Sequence, residues 1–207
     1  MHKKWLERTE LLIKKQGIEK LQNANILLVD LGGVGSFAAE FLARSGVGRM
    51  TIVDGDTVDI TNINRQLPAL HSTVGMSKVE VVSERLLDIN PELQLTKINE
   101  FLNPERMAEV IGAEKFDYIL ECSDSVTPKL ALIITAKRKK IKIVSCMRAG
   151  GKMDPSKVMV RDISKTYNCF LAKNVRKRLK KEQINKGIRC VFSNEIQNAE
   201  RLKMTDD

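Results

Sequence analysis

The run from Asn25 to Asp56, NILLVDLGGVGSFAAEFLARSGVGRMTIVDGD, admits few folds. An apolar strand at Ile26 to Val29 meets a glycine turn (Gly32, Gly33, Gly35). An apolar-periodic helix carrying Phe37, Phe41 and Leu42 follows, and a second strand closes in Asp54-Gly55-Asp56. This order predicts the opening βαβ unit of a nucleotide-binding sheet. Glycines belong at such a turn because a phosphate must come close to backbone N–H groups, and the positive end of the helix dipole then favours its charge. Asp54, 19 residues after Gly35, stands where an acid can accept hydrogen bonds from ribose hydroxyls. One position disagrees: the first glycine of the usual G-x-G-x-x-G pattern is Asp30 here. A side chain there stiffens the turn, and its carboxylate repels a polyphosphate unless a metal ion or an arginine intervenes. Nucleotide binding is expected to be weakened or lost.

The residues on either side supply candidates for the rest of such a site. Past the second strand, the loop TNINRQ carries Asn62, Asn64, Arg65 and Gln66, too polar for a core and placed where substrate groups gather. Lys78 falls near a helix start, where a cation opposes the dipole, which reads as a grip on phosphate or as a plain surface lysine. The apolar strand Phe116 to Cys122 runs into Ser123-Asp124-Ser125 at the sheet edge where ligands collect, so Asp124 is a candidate metal ligand, polar clamp or helix cap. His71 reads as a polar surface residue. The N-terminal stretch predicts an amphipathic helix ending at Gly17, followed by a short helix IEKLQNA. Its Arg8 serves packing or reaches a phosphate, in this or a neighbouring subunit.

Further strands are predicted at Gln94 to Glu100, Ile141 to Cys146, Lys157 to Ile163 and IRCVFSNE, and helices at PERMAEVIG, at Thr127 to Lys140 and at CFLAKNVRKRLKKEQI. The expected fold class is α/β: a Rossmann-like, mostly parallel sheet flanked by helices, with a basic C-terminal α/β extension. One domain is expected over 1–207, with a helical lead-in at 1–24, a core at 25–146 and the basic part at 147–207.

Composition narrows the setting. No apolar run approaches the roughly 20 residues of a membrane span, and MHKKWLERTE lacks the apolar core of a signal peptide, so a cytoplasmic protein is expected. Cys122, Cys146, Cys169 and Cys190 show no C-x-x-C spacing, which argues against zinc and disulfide frameworks; Cys169, near a helix start, is either an activated or an idle thiol. Charge is uneven: from Lys137 to Arg189 there are 18 Lys and Arg against 3 Asp and Glu, an excess of 15, whereas the rest has 17 against 23, a deficit of 6. Such clustering predicts a polyanionic partner, nucleic acid before membrane, with Arg176, Lys177 and Arg178 as phosphate contacts, or else a solvated helix face.

Several separate motifs, in order, resemble one family. RTELL, LGGVGSFAAEFLARSGVGRMTIVDGD, TNINRQ, GMSKVEV, ECSDSVTPK and RAGGKMDPSKVMVRDISKT are similar to the ThiF/MoeB-type, ubiquitin-activating-like adenylyltransferases, and among them to the tRNA threonylcarbamoyladenosine dehydratase branch. The absence of C-x-x-C pairs agrees with that branch, whereas Asp30 and the pair Lys14-Lys15 depart from the family pattern. The resemblance implies ATP and Mg2+, adenylation of a carboxylate, tRNA as substrate and a homodimer, with any sulfur-transfer partner left open. It implies Gly32, Gly33 and Gly35 at the phosphates, Asp54 at the ribose, Asn62, Arg65 and Lys78 at the triphosphate, Asp124 at magnesium and Arg8 reaching across the dimer. Two other readings stand beside it: a binding protein with a weakened nucleotide pocket, and a NAD-dependent oxidoreductase built on the same βαβ unit.

Overall fold

The computed structural model describes residues 4–196; the outermost residues of the expected 1–207 domain lie outside that range. The apolar runs become strands β1 (Asn25–Val29), β2 (Arg49–Val53), β3 (Gln94–Ile98), β4 (Tyr118–Glu121), β5 (Lys142–Cys146), β6 (Val158–Asp162) and β7 (Arg189–Ser193). They form one sheet in the order β3-β2-β1-β4-β5-β7-β6. Every neighbouring pair is parallel except β6 with β7. Chain order therefore reverses between β1 and β4, and the crevice at their carboxyl ends is where an open α/β sheet accepts a ligand.

Helix α1 (Glu7–Asn23) leads into β1. Parallel strands need long crossovers, which α2 (Gly35–Arg44), α3 (Lys78–Ile89), α4 (Pro104–Ala113) and α5 (Val126–Arg138) supply, and α6 (Phe170–Lys181) joins β6 to β7. Alternation along β1 divides the core in two. Ile26 and Leu28 pack with Ala39 and Ala43 of α2 and with Val79, Val82 and Leu86 of α3. Leu27 and Val29 face the other way, among Met107 of α4, Leu132 of α5 and Val175 of α6. A strand buried on both faces has no solvent side to keep polar, which is why NILLV reads as a continuous apolar run.

Two expectations change. The basic C-terminal part is not appended to the sheet but continues it, since β7 pairs with β5 and Leu171, Ala172, Val175 and Leu179 of α6 are buried in the shared core. The break in the N-terminal helix falls at Lys14 (φ 65°, ψ 169°), not at Gly17. Gly17 lies inside the helix, where an added Cβ would come within 2.8 Å of Ile13. Its small size accommodates packing, while Lys14 takes a backbone conformation that favours glycine. Lys14→Gly is accordingly expected to raise stability by about 1 kcal/mol in thermal unfolding; a lower melting temperature would show that the Lys14 ammonium bond to the Leu11 carbonyl outweighs the strain.

Candidate nucleotide site

The carboxyl ends of β1, β2 and β4 surround a hollow of about 200 Å³ lined by Asp30, Asp54, Asp56, Phe101, Ser123 and Asp124 among others. The acid closing β2 ties two strand ends together. Asp54 accepts from the Leu31 N–H at 2.7 Å through one oxygen and from the Asp56 N–H at 2.8 Å through the other. Each oxygen keeps a further lone pair for a donor from a ligand.

The glycine turn explains the misfit of Asp30. Its φ is 77°, the left-handed region that glycine enters without cost. Its carboxylate turns inward, where Oδ1 accepts from the Gly32 N–H at 2.8 Å. The chain's own anion thus takes one of the amides that a phosphate would use. Burial is the largest influence on this carboxyl and the Asp54 and Asp124 charges add to it. The Gly32 amide and the Lys78 charge pull the other way, and the net result is a pKa raised to about 6. Gly35 serves packing, since an added Cβ would sit 1.8 Å from the Asp30 carbonyl oxygen. The amides of Gly33 and Val34 have no hydrogen-bond acceptor among the described residues.

The polar loop lies against this turn. A Cβ placed on Gly33 would be 3.4 Å from the Arg65 carbonyl oxygen and 3.8 Å from its Cγ, so Arg65 adjoins the free amides. Its guanidinium donates to Thr61 O at 2.8 Å and to Asn64 Oδ1 at 2.9 Å and remains exposed. Asn62 is buried and shapes the loop: its Oδ1 accepts from the Asp59 N–H while the Asp59 carboxylate caps Thr61. The side-chain oxygen of Gln66 is buried without a partner, and its amide nitrogen stands beside Gly32. Lys78 opens α3 with its side chain almost wholly buried and its ammonium 2.9 Å from Asp56. Burial beside carboxylates thus accounts for a cation at a helix start.

Asp124 is exposed, with its carboxylate 3.6 Å from the Arg148 guanidinium, and the cap position of α5 belongs to Ser125. The loop holding Asp124 rests on an ion pair that sequence reasoning missed. Lys129, fully buried, donates to Glu121 and to the Cys146 carbonyl. Glu121 also accepts from the Ser123 N–H at 3.0 Å and the Ser145 hydroxyl at 2.6 Å. The available signal was a carboxylate inside an otherwise apolar strand, which demands a buried partner.

Arg8 does not join the cluster within one chain; it lines a separate surface hollow with Glu7, Glu10, Leu11, Lys14 and Lys15. Cys122 directly follows β4 and Cys146 ends the neighbouring β5, and hydrogen bonding to Cys146 together with burial holds the Cys122 thiol well above its ordinary pKa. Cys169 is buried at the start of α6, its sulfur accepting from the Ala172 N–H. His71 is exposed. Arg176 was expected on the phosphate-facing surface, but its guanidinium donates inward to the carbonyl of Thr166 at 3.0 Å and to that residue's hydroxyl.

The residues present fit a nucleotide with its metal. Free amides at Gly33 and Val34, the adjoining Arg65 and the orphaned Gln66 oxygen offer polar contacts, and the acid-lined hollow lies alongside. Magnesium carried by phosphates needs only one or two carboxylates, and Asp124 lines the hollow; among the described residues no group of three His, Cys, Asp or Glu is assembled to hold a metal by itself. No helix of the described residues is long and apolar enough to cross a membrane.

The sequence pattern of the ThiF family matches residues 6–196. The tRNA threonylcarbamoyladenosine dehydratase of Bacillus subtilis is 45% identical over 188 residues, which is 91% of this chain and 74% of that protein. Its namesake from Escherichia coli is 40% identical over 201 residues, covering 92% of this chain and 75% of that one. The crystal structure of the E. coli tRNA N6-threonylcarbamoyladenosine dehydratase in complex with ATP superposes with a TM-score of 0.88 at 40% identity, over 93% of this chain and 82% of that one.

Proposed function

The chain belongs to the ThiF family, and from that premise we propose that it is an ATP-dependent tRNA threonylcarbamoyladenosine dehydratase. The observation that carries this reading is the meeting of a free-amide glycine turn, Arg65, Lys78 and Asp124 at one sheet edge, in a chain 45% identical to such an enzyme. A carboxylate is a poor electrophile; its attack on the α-phosphorus of ATP would expel pyrophosphate, and AMP would then leave with the carboxylate oxygen as an internal nitrogen closes the ring. The chain's residues position and neutralise. The Gly33 and Val34 amides and the Arg65 guanidinium receive phosphate oxygens. Lys78 balances charge from within the helix start, Asn62 holds the loop that presents Arg65, Asp54 accepts from the ribose, and Asp124 holds Mg2+. No side chain acts as a nucleophile.

The same reading treats the chain as one domain in a cytoplasmic homodimer. Support for the dimer comes from an exposed apolar stripe at Val34, Phe37 and Phe41, spaced three and four residues apart, and from exposed Leu11 and Leu12 of α1. Arg8, on the same helix α1, then reaches the partner's nucleotide. The basic residues from Lys137 to Arg189, apart from the inward-turned Arg176, face tRNA phosphates. The inward-turned Asp30 favours a second reading, a family member whose nucleotide pocket has weakened.

Mass spectrometry of adenosine from tRNA incubated with the protein and ATP separates the two. The dehydratase reading expects loss of one water from threonylcarbamoyladenosine. Arg65→Ala and Lys78→Ala are each expected to lower turnover about 10²- to 10³-fold with the fold retained. Turnover unaffected by both would remove those residues from the chemistry, and no ATP-dependent mass change by the unaltered chain would leave the weakened-pocket reading.

A further inference from the structure

A second hollow, of about 530 Å³, lies away from the nucleotide site. Tyr118 and Lys142 begin β4 and β5, Arg189 begins β7, and Asp162 ends the antiparallel β6, so the hollow sits at the amino edge of the parallel strands. The nucleotide site occupies their carboxyl edge. At about 3.3 Å per residue, the length of β4 puts roughly 10 Å of sheet between the two.

Four cations surround this hollow: Lys142, Arg161, Lys165 and Arg189. They come from β5, β6, the turn after β6, and β7, and all four are exposed. None of them makes an ion pair among the described residues. The one carboxylate present, Asp162, is already committed. It accepts from the Ser164 N–H and hydroxyl at 2.9 and 2.7 Å and from the Gly187 and Ile188 amides at 2.7 and 3.2 Å. Burial is the largest influence and raises its pKa, but the four donors together outweigh it and hold the carboxyl below its ordinary value, so it stays ionised. Four cations against one carboxylate leave the hollow an excess of three positive charges.

Their spacing identifies the kind of anion. Lys142 and Arg189 lie on one face of adjacent strands, because Arg189 pairs with Val144, two residues beyond Lys142, and Asp162 pairs with Arg189 on the next strand. Arg161 pairs with Cys190, one step out of register with Asp162 and Arg189, so it rises from the opposite face of β6, and the four cations ring the sheet edge from two strand faces and a turn. The amides that converge here, those of Gly187 and Ile188, are already held by Asp162, so a spread of exposed cations remains, which suits a linear polyanion.

We propose that this hollow binds the phosphodiester backbone of RNA, as a contact remote from the nucleotide site. This rests on the tRNA reading above, and it assigns the strand-edge cations, not helix α6, the greater part of the salt-dependent attraction. The test measures tRNA affinity of the full chain against salt concentration for two paired variants, Lys142→Gln with Arg189→Gln, and Arg161→Gln with Lys165→Gln. Each pair is expected to lower affinity about tenfold near physiological salt and to reduce the slope of log affinity against log salt by roughly 1.5. Lys177→Gln with Lys180→Gln, exposed on α6, is the comparison and is expected to change the slope by less than half as much. ATP affinity and thermal unfolding of each variant report that the fold is kept. Slopes equal to that of the unaltered chain, or an equal loss in the α6 pair, would overturn the assignment. Displacement of tRNA by inorganic tripolyphosphate from the unaltered chain but equally from both hollow variants would do the same. Absence of tRNA binding by the unaltered chain would instead bring down the functional reading, and this contact with it.

Discussion

Asp30→Gly is expected to tighten ATP binding ten- to hundredfold at pH 7.5 while raising the stability of the free protein. Three costs disappear together. The left-handed φ of 77° costs a non-glycine residue about 1 kcal/mol, which glycine avoids. Removal of the carboxylate frees the Gly32 amide for a phosphate oxygen. It also removes a negative charge beside the incoming polyphosphate; at an effective dielectric near 20, a unit charge about 6 Å away contributes on the order of 2–3 kcal/mol, part of which Lys78 already offsets. The sign of the pH effect follows from a pKa moved up from 3.8 to about 6. The folded protein holds this proton more tightly than the unfolded chain does. Asp30 therefore contributes no penalty below about pH 4, and stability is lost as pH rises toward and through 6. ATP meets a neutral residue on the acid side and an anion on the alkaline side. Between pH 7.5 and 5.5 the affinity of the natural chain should rise relative to that of the glycine variant, a ratio in which the protonation of ATP itself cancels. Isothermal titration of both proteins decides it, and equal affinities at both pH values would mean that the carboxylate swings clear of the ligand.

Lys129→Ala carries the largest expected loss of stability. It leaves Glu121 buried with an uncompensated charge, which costs about 3–5 kcal/mol and, in a domain of this size, about 10 °C in melting temperature. Lys129→Met combined with Glu121→Leu removes both charges and should recover most of that stability. It does not recover the support of the loop, because Glu121 is what holds Ser123 next to Asp124. Thermal unfolding and ATP-dependent turnover therefore come apart in the double variant, with stability regained and turnover still reduced. Recovery of both would show that Asp124 is positioned without the Glu121 carboxylate.

These two residues also mark what could be read before folding. The βαβ unit was legible because strand, glycine turn and helix follow each other with apolar spacing that only one arrangement buries, and Asp30 stood out against it as a misfit of type. Its inward hydrogen bond and its left-handed backbone were not legible, since both depend on the turn being closed. Lys129 lies on a helix with lysine and arginine at its end, and a helical lysine ordinarily extends into water. Only the parallel pairing of β4 with β5, which sets Glu121 opposite Ser145, shows why this one turns in. Arg176 misled in the same manner: within a dense run of cations its charge indicated a surface, whereas carbonyls freed at the end of a short turn had claimed it. The lead-in helix was placed correctly, but its break was assigned to the residue type that usually breaks helices when the backbone had chosen a lysine three positions earlier.

The start of α1 is held against the sheet domain by Leu6. Leu6 is 2% exposed and lies so close to Gly46 that a Cβ there would be 2.6 Å from its Cδ1. Leu6 immediately precedes α1, so the position of the segment bearing Arg8 is set at the bend after α2. Where that arginine stands is then governed from inside the sheet domain, by the room one glycine leaves for one leucine.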